Sequence, residues 1–117
     1  STRKQLVKRL DKLFADKVKT RGKCQIAGLD GLDCKGLLQC MHILSRKYKA
    51  LRWDFNNALA GCQAHHYWYT NNPWDWQELI SQVFTEQYKY IKLHKNDIWD
   101  KNLNRVFEEL RDLVNNK

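Results

Sequence analysis

Between Gln39 and His66 the chain reads QCMHILSRKYKALRWDFNNALAGCQAHH, and this stretch constrains the fold more than any other. Positions 38–44 alternate, with Leu38, Cys40, His42 and Leu44 on one face and Gln39, Met41 and Ile43 on the other, which predicts a short strand. The polar and basic SRKYKALR that follows has loop character. A second short strand is expected over 57–60, and then a helix that starts near Cys62 and carries His65, His66 and Tyr69. Strand, loop, strand and helix thus bring the chemistry-bearing side chains onto one small unit, and the rest of the chain reads as a scaffold around it.

The flanks are helical. From 2 to 20, Leu6, Val7, Leu10, Leu13, Phe14 and Val18 recur at helical spacing, and Lys4, Lys8, Lys12, Lys17 and Lys19 fill the remaining surface. Gly22 ends this basic amphipathic helix. Residues 22–37 hold four of the five glycines, which favours tight turns over regular structure, and carry Cys24 and Cys34. Asn71-Asn72-Pro73 marks a boundary, with Asn72 as N-cap, Pro73 in the first turn and Asp75 complementing the helix dipole. One helix is expected from there through Ile91, burying Trp76, Leu79, Ile80, Val83, Phe84 and Ile91, with a break at Asn96-Asp97. A last helix over 98–114 buries Ile98, Leu103, Val106, Phe107, Leu110 and Val114 and turns Glu108, Glu109 and Asp112 outward. The fold class is therefore α+β and mostly helical. At 117 residues a single domain is expected, divided into a basic helix (1–21), a strand-and-helix core (22–70) and a helical C-terminal part (73–117).

A formal net charge of +8 favours a polyanionic partner, because each Lys or Arg that neutralises a phosphate releases a condensed counterion. No apolar run approaches the roughly 20 residues that span a bilayer, and the N-terminus lacks the apolar centre of a signal peptide. The expected compartment is the cytoplasm, where the four cysteines stay thiols or hold a metal rather than pair.

His42-Ile43, Asn57 and Cys62-x-x-His65-His66 together resemble the HNH (ββα-metal) nuclease motif, whose pattern N-x-x-x-x-C-x-x-C-H is met at Asn57, Cys62 and His66. The resemblance implies a ββα-metal core with a zinc-knuckle loop. It implies His42 as general base, Asn57 as the amide that fixes the loop and orients the base, and His66 as ligand to a catalytic divalent cation, Mg²⁺, Mn²⁺ or Ni²⁺. L-D-K-L-F, R-G-x-C, L-Q-C-x-H-I-x-S-R and L-R-W-D, spread over 10–73, are further similar to phage recombination nucleases of the NinG (Rap) type, which implies structure-directed cleavage of branched DNA in the host-cell cytoplasm. Arg46, Arg52, Lys47, Lys49, Lys8 and Lys12 are the expected DNA contacts, the two arginines being suited to bidentate phosphate binding. A homodimer is expected where both strands are cut.

The sequence departs from the family in two places. Many HNH proteins bind structural Zn²⁺ through two Cys-x-x-Cys pairs. Here His65 replaces the second cysteine of one pair and Ala27 that of the other, so Cys34 is the expected substitute in a Cys24, Cys34, Cys62, His65 site, with Cys40 or no zinc at all as alternatives. Met41 stands where many relatives carry an acidic residue or a second His as cation ligand, and methionine is a poor ligand for a hard cation. Asp33 or Asp54 could supply the oxygen, or His66 and water could hold the cation alone. Otherwise the chain is a catalytically inactive, zinc-stabilised DNA-binding module. A basic helix set against an acidic protein partner would explain the charge but not the two histidines and Asn57. Tyr67, Trp68, Tyr69, Trp74 and Trp76 are expected to pack in the core rather than stack on bases.

Overall fold

A computed structural model describes residues 2–99 and 102–115. The order is helix α1 (Arg3–Lys19), strand β1 (Leu38–His42), two 3₁₀ turns (Lys49–Leu51 and Phe55–Asn57), strand β2 (Ala58–Cys62), and helices α2 (Gln63–Thr70), α3 (Pro73–Val83), α4 (Thr85–His94) and α5 (Leu103–Asn115). This is a mostly helical α+β architecture. Its sheet is a single antiparallel pair, with Leu38 opposite Cys62, Cys40 opposite Ala60 and His42 opposite Ala58.

The alternation along β1 decides what covers each face of the hairpin. On one side Ala58, Ala60 and Cys40 meet α1 and α5, where Leu6, Leu10, Phe14 and Val18 interleave with Leu103, Val106 and Leu110. On the other side Met41 and Leu59 meet Ile26, Tyr69 and Ile80, with Trp76, Phe84 and Tyr88 packed around them. A helix on one face and a helical corner on the other thus leave little of this small sheet in water.

Helix α1 forms where the apolar spacing places it. A capping box starts it, Gln5 N–H donating to Thr2 Oγ1 and Thr2 N–H to Gln5 Oε1, and Lys17 and Lys19 sit in the last turn, where the dipole favours cations. The loop 22–37 has no regular structure but is well tied. Gln25 exchanges hydrogen bonds with Ala60 along the free edge of β2, N–H to carbonyl at 2.8 Å and Ala60 N–H to Gln25 Oε1 at 2.9 Å. Arg21 adds bonds to the carbonyls of Ala58 and Phe55. At the far end of the loop Gly36 has φ of 83°, and a Cβ there would overlap the Gln63 side chain. That close approach lets the carbonyls of Lys35 and Leu37 accept from Ala64 and Gln63, two of the free N–H groups that open α2.

Several boundaries differ from the sequence reading. β1 stops at His42 rather than Leu44, and the second strand runs over Ala58–Cys62 rather than 57–60, because Asn57 ends a 3₁₀ turn. The C-terminal part contains three helices, not two. The helix expected through Ile91 turns at Phe84, with no Gly or Pro to announce it, and the corner lets both Ile80 and Ile91 face inward while Val83 points out. Asn72 does precede α3, but its amide donates to the Trp68 carbonyl. Together with Asn71 on Tyr67 it closes the end of α2 instead of opening α3. Helix α5 begins only at Leu103, so Ile98, expected in the core, is 91% exposed, and Trp99 takes its place beside Trp53. Tyr67 and Trp74, expected to pack inside, are 75% and 79% exposed, since Tyr69 and Trp76 already fill the face of α2 and α3 that meets the hairpin. No helix among the described residues is long and apolar enough to cross a membrane.

Because Leu10 is fully buried between α1, α5 and the hairpin, Leu10→Ala should lower unfolding free energy by about 2–5 kcal/mol in urea titrations. Val83→Ala, on a half-exposed side chain, should stay within about 0.5 kcal/mol.

Candidate metal centre and histidine pocket

Three separate segments converge on one cluster. Cys24 and Cys34 come from the loop 22–37, Cys62 from the last position of β2 and His65 from the first turn of α2. Their ligand atoms all lie within 4.8 Å of one another, and His65 Nδ1 is 3.1 Å from Cys62 Sγ, 3.6 Å from Cys24 Sγ and 3.7 Å from Cys34 Sγ. A tetrahedron built on Zn–S bonds of about 2.3 Å and Zn–N bonds of about 2.0–2.1 Å has edges of this order. The cluster can therefore hold a metal ion such as zinc, and its members are the four expected from the sequence, with Cys34 rather than Cys40. Cys40 instead lies on the opposite hairpin face beside α1, where burial pushes its thiol up to about 11.

Local structure explains why these groups meet. Cys62 is the N-cap of α2, its sulfur accepting from the His65 N–H, so the i and i+3 ligands are fixed by the cap itself. Burial opposes ionisation of Cys62, but hydrogen bonds from the His65 backbone and side chain outweigh it and bring the thiol down to about 6. Desolvation and the adjoining Cys24 and Cys62 sulfurs push Cys34 up to about 12, and a bound cation would offset that cost. Asp30, which the sequence reading passed over, completes the arrangement. Its Oδ1 sits 3.1 Å from His65 Nε2, its Oδ2 accepts from the Tyr69 hydroxyl at 2.7 Å, and the Leu32 N–H donates to Oδ1. A carboxylate on the far nitrogen fixes the tautomer that leaves Nδ1 free to ligate. Only its place before Gly31 in a turn-rich loop hinted at Asp30 in the sequence.

A second group of residues lies where the end of β1 meets α2 and α3. His42 and His66 both line a depression of about 210 Å³ with Met41, Ile43, Tyr69, Thr70, Pro73 and Trp76. His42 stacks on Phe14 at 5.3 Å and donates from Nε2 to the Arg52 carbonyl at 3.0 Å, which leaves the Nδ1 lone pair free. Burial lowers its pKa below the usual 6.5 despite that hydrogen bond, so the ring is neutral at pH 7. His66 donates from Nδ1 to Gln39 Oε1 at 2.7 Å, leaving Nε2 free, and burial lowers its pKa as well. The sequence reading placed Gln39 on the Met41 face of β1 but gave it no part in the site.

Asn57 is fully buried and all its side-chain atoms are used. Its Oδ1 accepts from Leu44 N–H at 2.8 Å, and its Nδ2 donates to the carbonyls of Leu44 at 3.0 Å and Leu51 at 3.1 Å. One amide thereby clamps both ends of the loop that supplies the Arg52 carbonyl to His42. It does not line the depression.

The substitutes proposed for Met41 are elsewhere. Asp54 Oδ1 caps the Phe55–Asn57 turn and Oδ2 accepts from Tyr90, while Asp33 is on the exposed loop, and neither lines the depression. Met41 itself is buried in the core. His66 is accordingly the one side chain lining the depression, apart from His42, with a nitrogen ligand to offer. The expected cationic contacts also have more structure than the sequence suggested. Arg52 makes a bidentate pair with Asp11 of α1, Nε to Oδ1 at 3.0 Å and Nη2 to Oδ2 at 2.6 Å, joined by Arg46 at 3.3 Å and the Trp53 indole at 2.9 Å. Burial works against the Asp11 charge, but these donors overcome it and hold its carboxyl below the ordinary range. The pairing ties Arg46 and Arg52 of loop 45–52 to α1, while Lys8, Lys47 and Lys49 are exposed and Lys12 pairs with Asp16.

Comparison with protein-family models, curated proteins and solved structures returns no match to this chain.

Chain purified without chelators should carry close to one equivalent of zinc by elemental analysis, and Cys62→Ala should carry almost none. Asp30→Asn should keep the metal but weaken its affinity about 10–100-fold in chelator competition. Less than a quarter equivalent in the unaltered chain would count against the centre.

Proposed function

We propose that the protein is a metal-dependent DNA endonuclease of the HNH type that hydrolyses phosphodiester bonds. The observation that carries the reading is that His42 and His66 face one depression, each with one ring nitrogen tied down and the other free, while Asn57 clamps the intervening loop. The neighbouring Cys₃His cluster supports it as the structural centre that fixes the start of the helix bearing His66.

In this reading a water molecule loses its proton to His42 Nδ1. The water oxygen bonds to phosphorus and the P–O ester bond opposite it breaks, the electron pair leaving with the departing oxygen. The Arg52 carbonyl holds the protonated imidazole in register, since Nε2–H remains its donor throughout. His66 Nε2 would hold a divalent cation, Mg²⁺, Mn²⁺ or Ni²⁺, together with water and a phosphate oxygen of the substrate, as suits a site with a single protein ligand. When bound, that cation supplies stabilisation for the charge that builds on the phosphoryl and leaving oxygens. The nitrogen ligand favours Ni²⁺ or Mn²⁺ over Mg²⁺. Basic residues on α1 and loop 45–52, including Lys8, Lys47 and Lys49, would carry the flanking phosphates. The likeness of this stretch to NinG-type nucleases favours branched DNA as the substrate.

The second reading, a zinc-stabilised DNA-binding module without catalysis, is favoured by one observation, the burial of Met41 where a second cation ligand would stand. Nicking of supercoiled plasmid separates the two. The unaltered chain with Ni²⁺ or Mn²⁺ should nick, and His42→Ala should lose at least about 100-fold in rate. Cleavage that survives His42→Ala would exclude the base, and no cleavage with any cation would select the binding module. Because protonated His42 cannot accept a proton and its pKa is depressed by burial, the rate should rise through an apparent pKa below 6.5 and stay level above it. A midpoint above 7 would assign the titration to another group.

A further inference from the structure

Beside the two-histidine depression lies a second, shallower one of about 310 Å³, lined by Gln39, Gln63, His66, Tyr67 and Thr70. The two share His66 and Thr70 as lining residues, so they adjoin the same two side chains. Like the two-histidine depression, the second is lined by no Lys, Arg, Asp or Glu, and it adds two carboxamides and an exposed aromatic ring. Its outer wall is the Tyr67 ring, 75% exposed, and its hydroxyl makes no hydrogen bond among the described residues.

The two carboxamides are held with their donors free. Gln39 Oε1 accepts from His66 Nδ1, and Gln63 Oε1 accepts from the Leu37 N–H at 3.4 Å. Neither amide nitrogen has a partner among the described residues. An uncharged aromatic wall and two carboxamides whose N–H₂ groups have no partner among the described residues suit a planar, neutral ligand with acceptor atoms on its edge. A nucleobase has that chemistry. A base inside a duplex offers neither a free face to Tyr67 nor a free pairing edge to the amides, so the surface fits only a base outside the stack.

We propose that the shelf formed by Tyr67, Gln63 and Gln39 is a subsite for an unpaired nucleobase next to the phosphate held at His42 and His66. This deepens the nuclease reading and rests on it for the position of the phosphate. The subsite selects single-stranded stretches or bases extruded from a junction. Tyr67 supplies the stack and the two glutamines supply the edge contacts.

Fluorescence anisotropy without added divalent cation tests it on the zinc-loaded full chain. The probes are a labelled single strand of about 20 nucleotides, the same strand with a central abasic run, and its duplex. The unaltered chain should bind the single strand about ten-fold more tightly than the abasic strand, the weight of one base–aromatic stack. Tyr67→Ala should remove that difference and leave the duplex affinity unchanged, whereas Tyr67→Phe should retain it. Because Tyr67 is mostly exposed, the alanine variant should fold normally, and circular dichroism of each variant checks this. Equal effects of Tyr67→Ala on all three probes, or no effect on any, would overturn the subsite. Plasmid nicking measured in parallel separates the two claims. Nicking without base-dependent binding leaves the nuclease and removes the subsite, base-dependent binding without nicking does the reverse, and binding to no probe overturns the subsite outright.

Discussion

The convergence of Cys24, Cys34, Cys62 and His65 is the interaction on which the rest of this fold depends. The loop 22–37 contributes one fully buried side chain, Ile26, to the core. Fixing the backbone of each residue costs about 1–2 kcal/mol, far more over such a loop than one isoleucine returns. Hydrogen bonds from Arg21 and Gln25 anchor its beginning, and those from Ala64 and Gln63 anchor its end. A metal ion shared among three thiolates and an imidazole would bind the middle, and structural zinc sites contribute on the order of 10 kcal/mol or more. The same cluster fixes the direction in which α2 leaves β2, since Cys62 is both a ligand and the helix cap.

From that junction the rest of the arrangement follows by alternation. Successive residues of β1 face opposite ways, so Met41 faces α2 and α3 while His42 faces Phe14 on α1. A histidine packed on a phenylalanine and hydrogen-bonded to a carbonyl has one orientation. The loop that provides the carbonyl would otherwise be free to move, and Asn57 removes that freedom with three hydrogen bonds from one buried amide. Asp11 performs a similar service outside, gathering two arginines and an indole from the same loop onto α1. Formal charge on these arginines thus overstates the positive field they present, because part of it is matched within the chain.

How much of this was legible varies with the range of the interactions. Helix α1 was read almost to the residue, since its spacing, caps and buried set are local. The metal cluster was legible through the likeness of Cys62-x-x-His65-His66 to the HNH pattern, which left Cys34 and Cys40 as alternatives, and the structure brings Cys34 to the cluster. What escaped depends on partners far apart in sequence. The corner at Phe84 has no turn residue, and it lets Ile80 pack under the hairpin while α4 packs against the two 3₁₀ turns with Ile91 buried. Ile98 and Trp99 are adjacent apolar residues, and only the position of Trp53 decides which one is sheltered. Asp30 and Gln39 each orient a histidine from more than 25 positions away, so no spacing rule could pair them with it.

Met41 and Gly61 face the same side of the hairpin, and a Cβ on Gly61 would overlap the Met41 sulfur. The thioether lies directly over bare backbone. A short polar side chain at 41 would uncover that backbone inside the core, and a side chain at 61 would force the thioether to move, so the two positions constrain each other. What position 41 can carry is thereby set by how tightly the two strands are drawn together with the residues packed over them.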